Sequence, residues 1–382
     1  MATPIAAGHR HAGGADRPLL RSQMPELDMI RGLAVLSVFL FHAFFWSGAS
    51  GSANALERRL GGLTQPGWLG VDLFFVLSGF LITGRLLNQN HLASRQYYRS
   101  FYLRRAFRIL PLYYLVLAVV GGALLRVGET TPQFLAVSAA YAPNIAMLIG
   151  WGSSYPLGVL WSLGIEEQAY LVWPLVVHRA SSRRLVVVFA GLCVVEPALR
   201  YLWFGSGLAP EAIWSATWLR LDGLAWGALL AVVVRGPLQE RRRLAVAAFS
   251  ALAVAVGLAV VGAGHGALTR RTAIGAALQL GLADLGFAAL VALALVAGSA
   301  RPTANGGATL RYFGRISYAL YLVHQFVFWT YDRVGLLPRG APAAAFPFLV
   351  RATVVLAVSL AVAELSRRYI EGPCLALKVR FT

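Results

Sequence analysis

Charge is scarce in this chain, and lysine is almost missing. Only 13% of the 382 residues are charged, and Lys378 is the single lysine among 34 basic residues. A water-soluble domain carries about 25% charged and roughly 45–50% apolar residues. At 58% hydrophobic, this chain has too little polar surface to face water on all sides. Cysteine is scarce too. Cys193 lies in an apolar run and Cys374 near the C-terminus, which excludes a disulfide scaffold. Disorder is excluded by the hydrophobicity itself. There is no internal repeat, no glycine-rich nucleotide loop at a strand–helix junction and no spacing that suggests a metal site. The net charge of +18 raises the question of nucleic acid, but the arginines are not gathered on one soluble module. They sit between apolar runs, as membrane topology requires. An all-α polytopic membrane protein remains.

A spanning helix needs about 20 mostly apolar residues. Ten segments qualify: 29–48, 68–88, 109–127, 159–177, 185–205, 214–234, 244–263, 272–298, 313–331 and 346–366. Residues 133–152 are also apolar, but Pro132, Pro143 and Asn144 interrupt them. With Arg10, Arg17 and Arg21 in the cytoplasm, the second span returns to a basic loop holding Arg95, Arg99, Arg104, Arg105 and Arg108. If 133–152 does not cross, the later clusters around Arg183, Arg241, Arg311 and Arg367, with Lys378 and Arg380, also fall inside. A crossing there would reverse them, against the positive-inside rule. The expectation is therefore about ten transmembrane helices, N- and C-termini cytoplasmic, with 133–152 outside or re-entrant. Residues 1–26 are expected to be a flexible cytoplasmic tail, 27–373 the membrane domain and 374–382 a short basic tail. The first span reads as a retained helix, since its apolar stretch is long and no cleavage site follows it.

Ionisable residues inside spans are costly and are functional candidates by default. Arg31 and His42 are 11 residues apart in the first span, about three turns or ~16 Å of rise along nearly one face. Arg31 alone also reads as a snorkelling anchor, and His42 as an interhelical hydrogen bond. Asp72 begins the second span, where the helix dipole favours an acid; from there it could orient the His42 imidazole. Ser78-Gly79 reads as close helix packing. Glu166 and Glu167 lie in the fourth span, Arg220 and Asp222 in the sixth and His324 in the ninth. Arg31 lies at the cytoplasmic boundary; counted from the outer side, His42, Asp72, Glu166, Glu167, Arg220, Asp222 and His324 fall at similar depth, which implies a polar cavity. Asp284 and Glu364 lie outside that layer and read as structural pairs or a secondary pathway. His9, His11, His91, His178 and His265 read as solvated. In the basic loop, Arg105 and Arg108 share a helical face, and guanidinium forks suit phosphate; lipid headgroups would account for the same charge.

Taken in order, the motifs resemble the acyltransferase-3 family of integral-membrane O-acyltransferases. They are Leu27-Asp28-Met29-Ile30-Arg31-Gly32 leading to His42, and Gly70-Val71-Asp72-Leu73-Phe74-Phe75 through Ser78-Gly79-Phe80. Arg105-Ala106-Phe107-Arg108 and Trp161-Ser162-Leu163-Gly164-Ile165-Glu166-Glu167-Gln168 follow, then Arg220-Leu221-Asp222, Ile316-Ser317-Tyr318 to His324, and Ile370-Glu371-Gly372-Pro373. The family usually has serine in place of Gly164 and phenylalanine in place of Ala169. The resemblance implies a multi-pass protein of the bacterial cytoplasmic (inner) membrane. It would move an acyl group, usually acetyl, from cytoplasmic acyl-CoA to a hydroxyl of a cell-surface or lipid-linked saccharide, or of a small molecule such as a macrolide. No cofactor would be held permanently; acyl-CoA (acetyl-CoA) is the donor substrate. Arg31, Arg105 and Arg108 are the candidates for its phosphates. His42 would serve as general base or acyl carrier, with Asp72, Glu166 and Glu167 catalytic, and Arg220, Asp222 and His324 in the cavity or near the oxyanion. The competing reading is a proton-coupled transporter, for which intramembrane His, Asp, Glu and Arg serve equally. The expected partners are acyl-CoA, a glycan or other hydroxyl acceptor and membrane lipids, with no nucleic acid.

Overall fold

The computed structural model of the protein describes residues 18–151, 155–206, 212–269, 271–300, 307–335 and 347–377. Every regular element among them is helical. The His9, His11, Arg10, Arg17, Lys378 and Arg380 positions lie outside the described residues.

The chain runs through α1 (Pro25–Leu40), α2 (Ala55–Thr64), α3 (Gly70–Asn88), α4 (Ser94–Arg126) and two short helices, α5 (Pro132–Ala139) and α6 (Pro143–Leu148). Then come α7 (Leu160–Arg179), α8 (Ser182–Gly205), the single turn α9 (Ala212–Ser215), α10 (Leu221–Val233) and α11 (Arg241–Gly264). α12 (Ala273–Ala300), α13 (Ala308–Val334), α14 (Pro347–Ser366) and α15 (Gly372–Leu377) complete it. Local sequence explains several starts. Pro25 opens α1, where its missing N–H costs nothing, with Glu26 and Asp28 at the positive end of the dipole. Asn54, Thr131 and Ser181 cap α2, α5 and α8 with side-chain oxygens.

Each of the ten apolar segments overlaps a helix. Among the described residues, seven helical stretches are long and apolar enough to cross a membrane. α7 and α13 are 20 and 27 residues long, but their ionisable residues keep them below that apolarity. The expected span at 214–234 is a shorter object: Thr217–Leu219 form a 3-10 turn and α10 has only 13 residues, about 20 Å at 1.5 Å per residue. Residues 133–152 form no spanning helix. α5 and α6 have 8 and 6 residues and are separated by Tyr141, whose φ of 56° reverses the chain.

Two expectations need correction. The basic stretch 95–108 is not a loop; it forms the first turns of α4, which continues through Pro111. Tyr97 and Phe101 on that part are buried in the core, and this packing makes it helix. Nor is the N-terminal region free up to residue 26. Leu19 is buried, and Arg21 is paired with Glu26 at the start of α1.

Small residues draw the central helices together, as is usual where lipid offers no hydrophobic drive for association. A Cβ on Gly32 would fall on the Leu310 carbonyl, and one on Gly314 on the Asp28 carbonyl, so α1 and α13 touch backbone to backbone. Gly79 and Gly227 do the same for α3 and α10, against Leu224 and Val76. Gly79 therefore has the packing role expected for Ser78-Gly79. Gly164 lies under Asn144 Oδ1, 2.8 Å from an added Cβ. Asn144 donates to the Ser215 carbonyl (3.1 Å) and to Thr217 (3.0 Å), and so ties the interrupted segment into the bundle.

Candidate active site

α1 ends in a π-helical turn, Phe41–Phe45, and this turn carries His42. Such turns interrupt helices chiefly at functional positions. His42 Nδ1 lies 2.9 Å from the Val38 carbonyl and therefore carries the proton. On α13, His324 Nδ1 lies 2.8 Å from the Tyr321 carbonyl, so its own proton is also on Nδ1. Its bare Nε2 faces the Nδ1–H of His42 at 3.3 Å. Gln325, the next residue, donates from Nε2 to His42 Nε2 at 2.8 Å. The rings of Trp46 and Tyr155 each stand 6.4 Å from the His42 ring and lie within 4° of parallel to each other. Trp46 is 61% exposed. Burial pushes the Tyr155 phenol up to about 12, against the pull of the Arg351 guanidinium, so at neutral pH it is a donor.

Below this pair of histidines lies a cavity of about 720 Å³, within the usual size range for ligand sites. Six arginines line it: Arg21, Arg31, Arg85, Arg105, Arg108 and Arg235. Glu166 is the one acid among its described lining residues. The three arginines proposed for phosphate thus share one space. Ser162, Ser317 and Tyr321 also line it. The Tyr321 hydroxyl and Ser162 Oγ are 2.8 Å apart, and the Tyr321 ring lies 5.8 Å from that of His324. Tyr321 therefore stands between the arginine-lined space and the histidine pair.

The seven ionisable residues expected at one depth do not form one constellation. Arg105 Nε donates to both Glu167 oxygens at 2.8 and 3.0 Å, and its Nη2 lies 3.7 Å from Glu166. Its guanidinium also covers the Tyr170 ring at 3.8 Å. Because α4 begins at Ser94, Arg105 is a helical residue facing α7, where it holds Glu167 and lies close to Glu166, the acid at the cavity. Asp72 is held by Arg220 at 2.7 Å, and Asp222 by Arg200 at 2.6 Å, all four buried. The partners of His42 are Val38, His324 and Gln325, so the expected orientation by Asp72 or Glu167 is corrected. Arg220, expected in the cavity or near the oxyanion, is instead paired with Asp72 and is not among the residues lining this cavity.

Asp284 is buried with no partner on Oδ1, and no ion pair joins it among the described residues. Of the two readings given for it, a structural pair or a secondary pathway, the pair is not seen among the described residues; Asp284 lies against α10 at Gly223. Glu364 is paired with Arg367 one turn on. His178 is not merely solvated: it contacts Asn90 (2.8 Å), Ser94 (3.0 Å) and the Tyr97 ring. Both cysteines are free. No metal-binding cluster occurs among the described residues.

Sequence reasoning passed over Gln325, Tyr321, Tyr155, Arg21, Arg85 and Arg235. One signal for Gln325 was available: an amide inside an apolar run is costly unless paired, and it adjoins His324. Arg21 and Arg235 read as topology signals, and Arg85 lies in the last turn of an apolar span.

Residues 24–363 match the family described as the acyltransferase domain of acyltransferase-3. The chain is 28% identical over 383 residues to the peptidoglycan O-acetyltransferase OatA of Listeria monocytogenes, covering 92% of this chain and 56% of that protein. It is 33% identical over 227 residues to a putative peptidoglycan O-acetyltransferase, YrhL, of Bacillus subtilis, covering 55% of this chain and 33% of that one. A putative O-acetyltransferase of Staphylococcus aureus is 29% identical over 223 residues, 54% of this chain and 34% of its own. The chain thus spans between a third and just over half the length of these relatives. No solved structure matches it.

Proposed function

Because the chain belongs to the acyltransferase-3 family, we propose that it moves an acetyl group from cytoplasmic acetyl-CoA to a hydroxyl of a cell-surface or lipid-linked saccharide at the bacterial cytoplasmic membrane. The relatives named for peptidoglycan O-acetylation favour a glycan acceptor over a small molecule. The observation that carries the reading is the six-arginine cavity separated from the histidine pair by Tyr321. We assign ten crossings with both ends in the cytoplasm, so that Arg85, Arg105 and Arg108 open to the inner face. They take the phosphates of CoA, bidentately where two oxygens are presented. The thioester arm lies past Ser162 and Ser317 toward His42.

His42 is the base. Its Nε2 takes the proton of the acceptor hydroxyl while that oxygen attacks the thioester carbonyl carbon. The tetrahedral adduct collapses, the C–S bond breaks and the CoA thiolate recovers the proton. The Val38 carbonyl and His324 Nε2 both face Nδ1–H of His42. They fix its tautomer, the task of the carboxylate in serine-hydrolase triads. The pairs Asp72–Arg220 and Asp222–Arg200 hold the bundle rather than the reacting atoms. The test is CoA release by the protein in lipid nanodiscs, given acetyl-CoA with and without soluble peptidoglycan fragments. Acceptor-dependent release is expected, and His42→Ala should lower it roughly 100-fold or more. Full transfer by His42→Ala would sink the assignment.

A further inference from the structure

The Nε2 atom assigned as the base already has a partner. Gln325 donates to it at 2.8 Å, while the opposite nitrogen is bound to Val38. Gln325 is 6% exposed, and its other amide atom, Oε1, is buried without a hydrogen-bond partner. A side-chain amide presents a donor and an acceptor related by a half-turn about its last torsion. With the ring neutral, only the observed orientation is satisfied. The reverse would set Oε1 against the bare Nε2, or force the Nδ1 lone pair against the Val38 oxygen. With the ring protonated, Nε2–H needs an acceptor, and the free Oε1 supplies one after the half-turn.

We propose that Gln325 is the positioning residue of His42, capping the neutral ring through its amide N–H and holding the protonated ring through its amide oxygen. This rests on the reading of His42 as the base. An incoming hydroxyl must displace the cap before Nε2 accepts a proton, so Nε2 stays masked from water while acetyl-CoA waits. Glutamine suits both states; a carboxylate in its place would favour only the charged ring. Other groups facing this turn are already occupied or neutral. His324 points a bare nitrogen at it, and Tyr155 is protonated. On α14, Arg351 is held by Asp332 at 2.6 Å. Glu57 of α2 accepts from the N–H groups of Phe348 and Leu349, and Asp72 of α3 is held by Arg220.

The experiment needs no acceptor. Diethyl pyrocarbonate acylates the bare nitrogen of neutral imidazole, and peptide mass spectrometry reports the modification of each histidine. The rate at His42 is measured against pH in nanodiscs for the wild type, Gln325→Met and Gln325→Glu, with His178 as the internal reference. Gln325→Met uncaps Nε2 and should raise the rate about fivefold, the value of one net hydrogen bond. Gln325→Glu should move the midpoint of the His42 profile up by roughly 1–2 pH units, as an adjacent carboxylate does. Unchanged rate and midpoint at His42 in both variants, with wild-type melting curves, would overturn the proposal. Because transfer is not the readout, that result is distinct from a failure of the acyltransferase reading.

Discussion

Replacing Asp72 by asparagine separates two roles for that carboxylate. The structure puts it 2.7 Å from Arg220, at 1% and 3% side-chain exposure. At an effective dielectric of ~20, two unit charges at that separation attract by about 6 kcal/mol, much of it cancelled by the cost of removing both from water. The measurable quantity is the penalty for breaking the pair, roughly 3–5 kcal/mol when one charge is left buried alone. Arg220 also lies 5.5 Å from the ring centroids of Phe75 and Trp161, and these contacts keep it in place after its partner has gone. For 382 residues unfolding with ~2 cal/mol/K each, the loss corresponds to a fall in melting temperature of roughly 4–6 °C. Tryptophan fluorescence in nanodiscs would follow it. The double variant Asp72→Leu/Arg220→Met removes both charges. It should recover most of the loss, since well-packed apolar residues replace a buried pair at little cost. Acetyl transfer should track folded protein throughout. If Asp72→Asn melted like the wild type yet lost transfer, the assignment of this pair to structure would be wrong and Asp72 would belong to the chemistry.

Three further outcomes are expected. Arg108 lines the cavity, is exposed and makes no ion pair among the described contacts, so Arg108→Gln should raise KM for acetyl-CoA about tenfold with kcat retained. Arg105→Gln should in addition lower the melting temperature, because it unpairs Glu167; initial rates and thermal melts distinguish the two variants. In a Cys193→Ala/Cys374→Ser background, an impermeant maleimide should label Leu63→Cys in intact cells and Arg183→Cys only after permeabilisation. Both sites are exposed, and the reverse pattern would overturn the orientation.

Much of the helix count was legible because a spanning segment leaves a long apolar run. That signal fails at boundaries. α4 begins 15 residues before its apolar part (Ser94 against residue 109), since its first turns are held by Tyr97 and Phe101 against neighbours that are distant in sequence. It fails also at α10, where a hydrophobic run is divided between short turns and a short helix. The candidate site was legible as residue types. His42, His324 and the three arginines were identifiable because ionisable groups stand out in apolar context. Their partners were not. Depth counted along separate helices says nothing about rotation, and rotation decides that Asp72 meets Arg220 while His42 meets a neutral amide.

By itself, the sequence determined that this chain lives in a membrane, which segments are helical and which side chains cost too much to be idle there. It also carried the family, through motifs spread in order along the chain. Which polar groups meet was decided only by tertiary structure. Helices packed through Gly32, Gly79, Gly227 and Gly314 meet backbone to backbone, and their rotation about those contacts sets which side chains face one another. In a low-dielectric interior a buried charge without a counter-charge is costly. Arg220 and Arg105 therefore took the carboxylates, and His42 was left with Val38, His324 and Gln325.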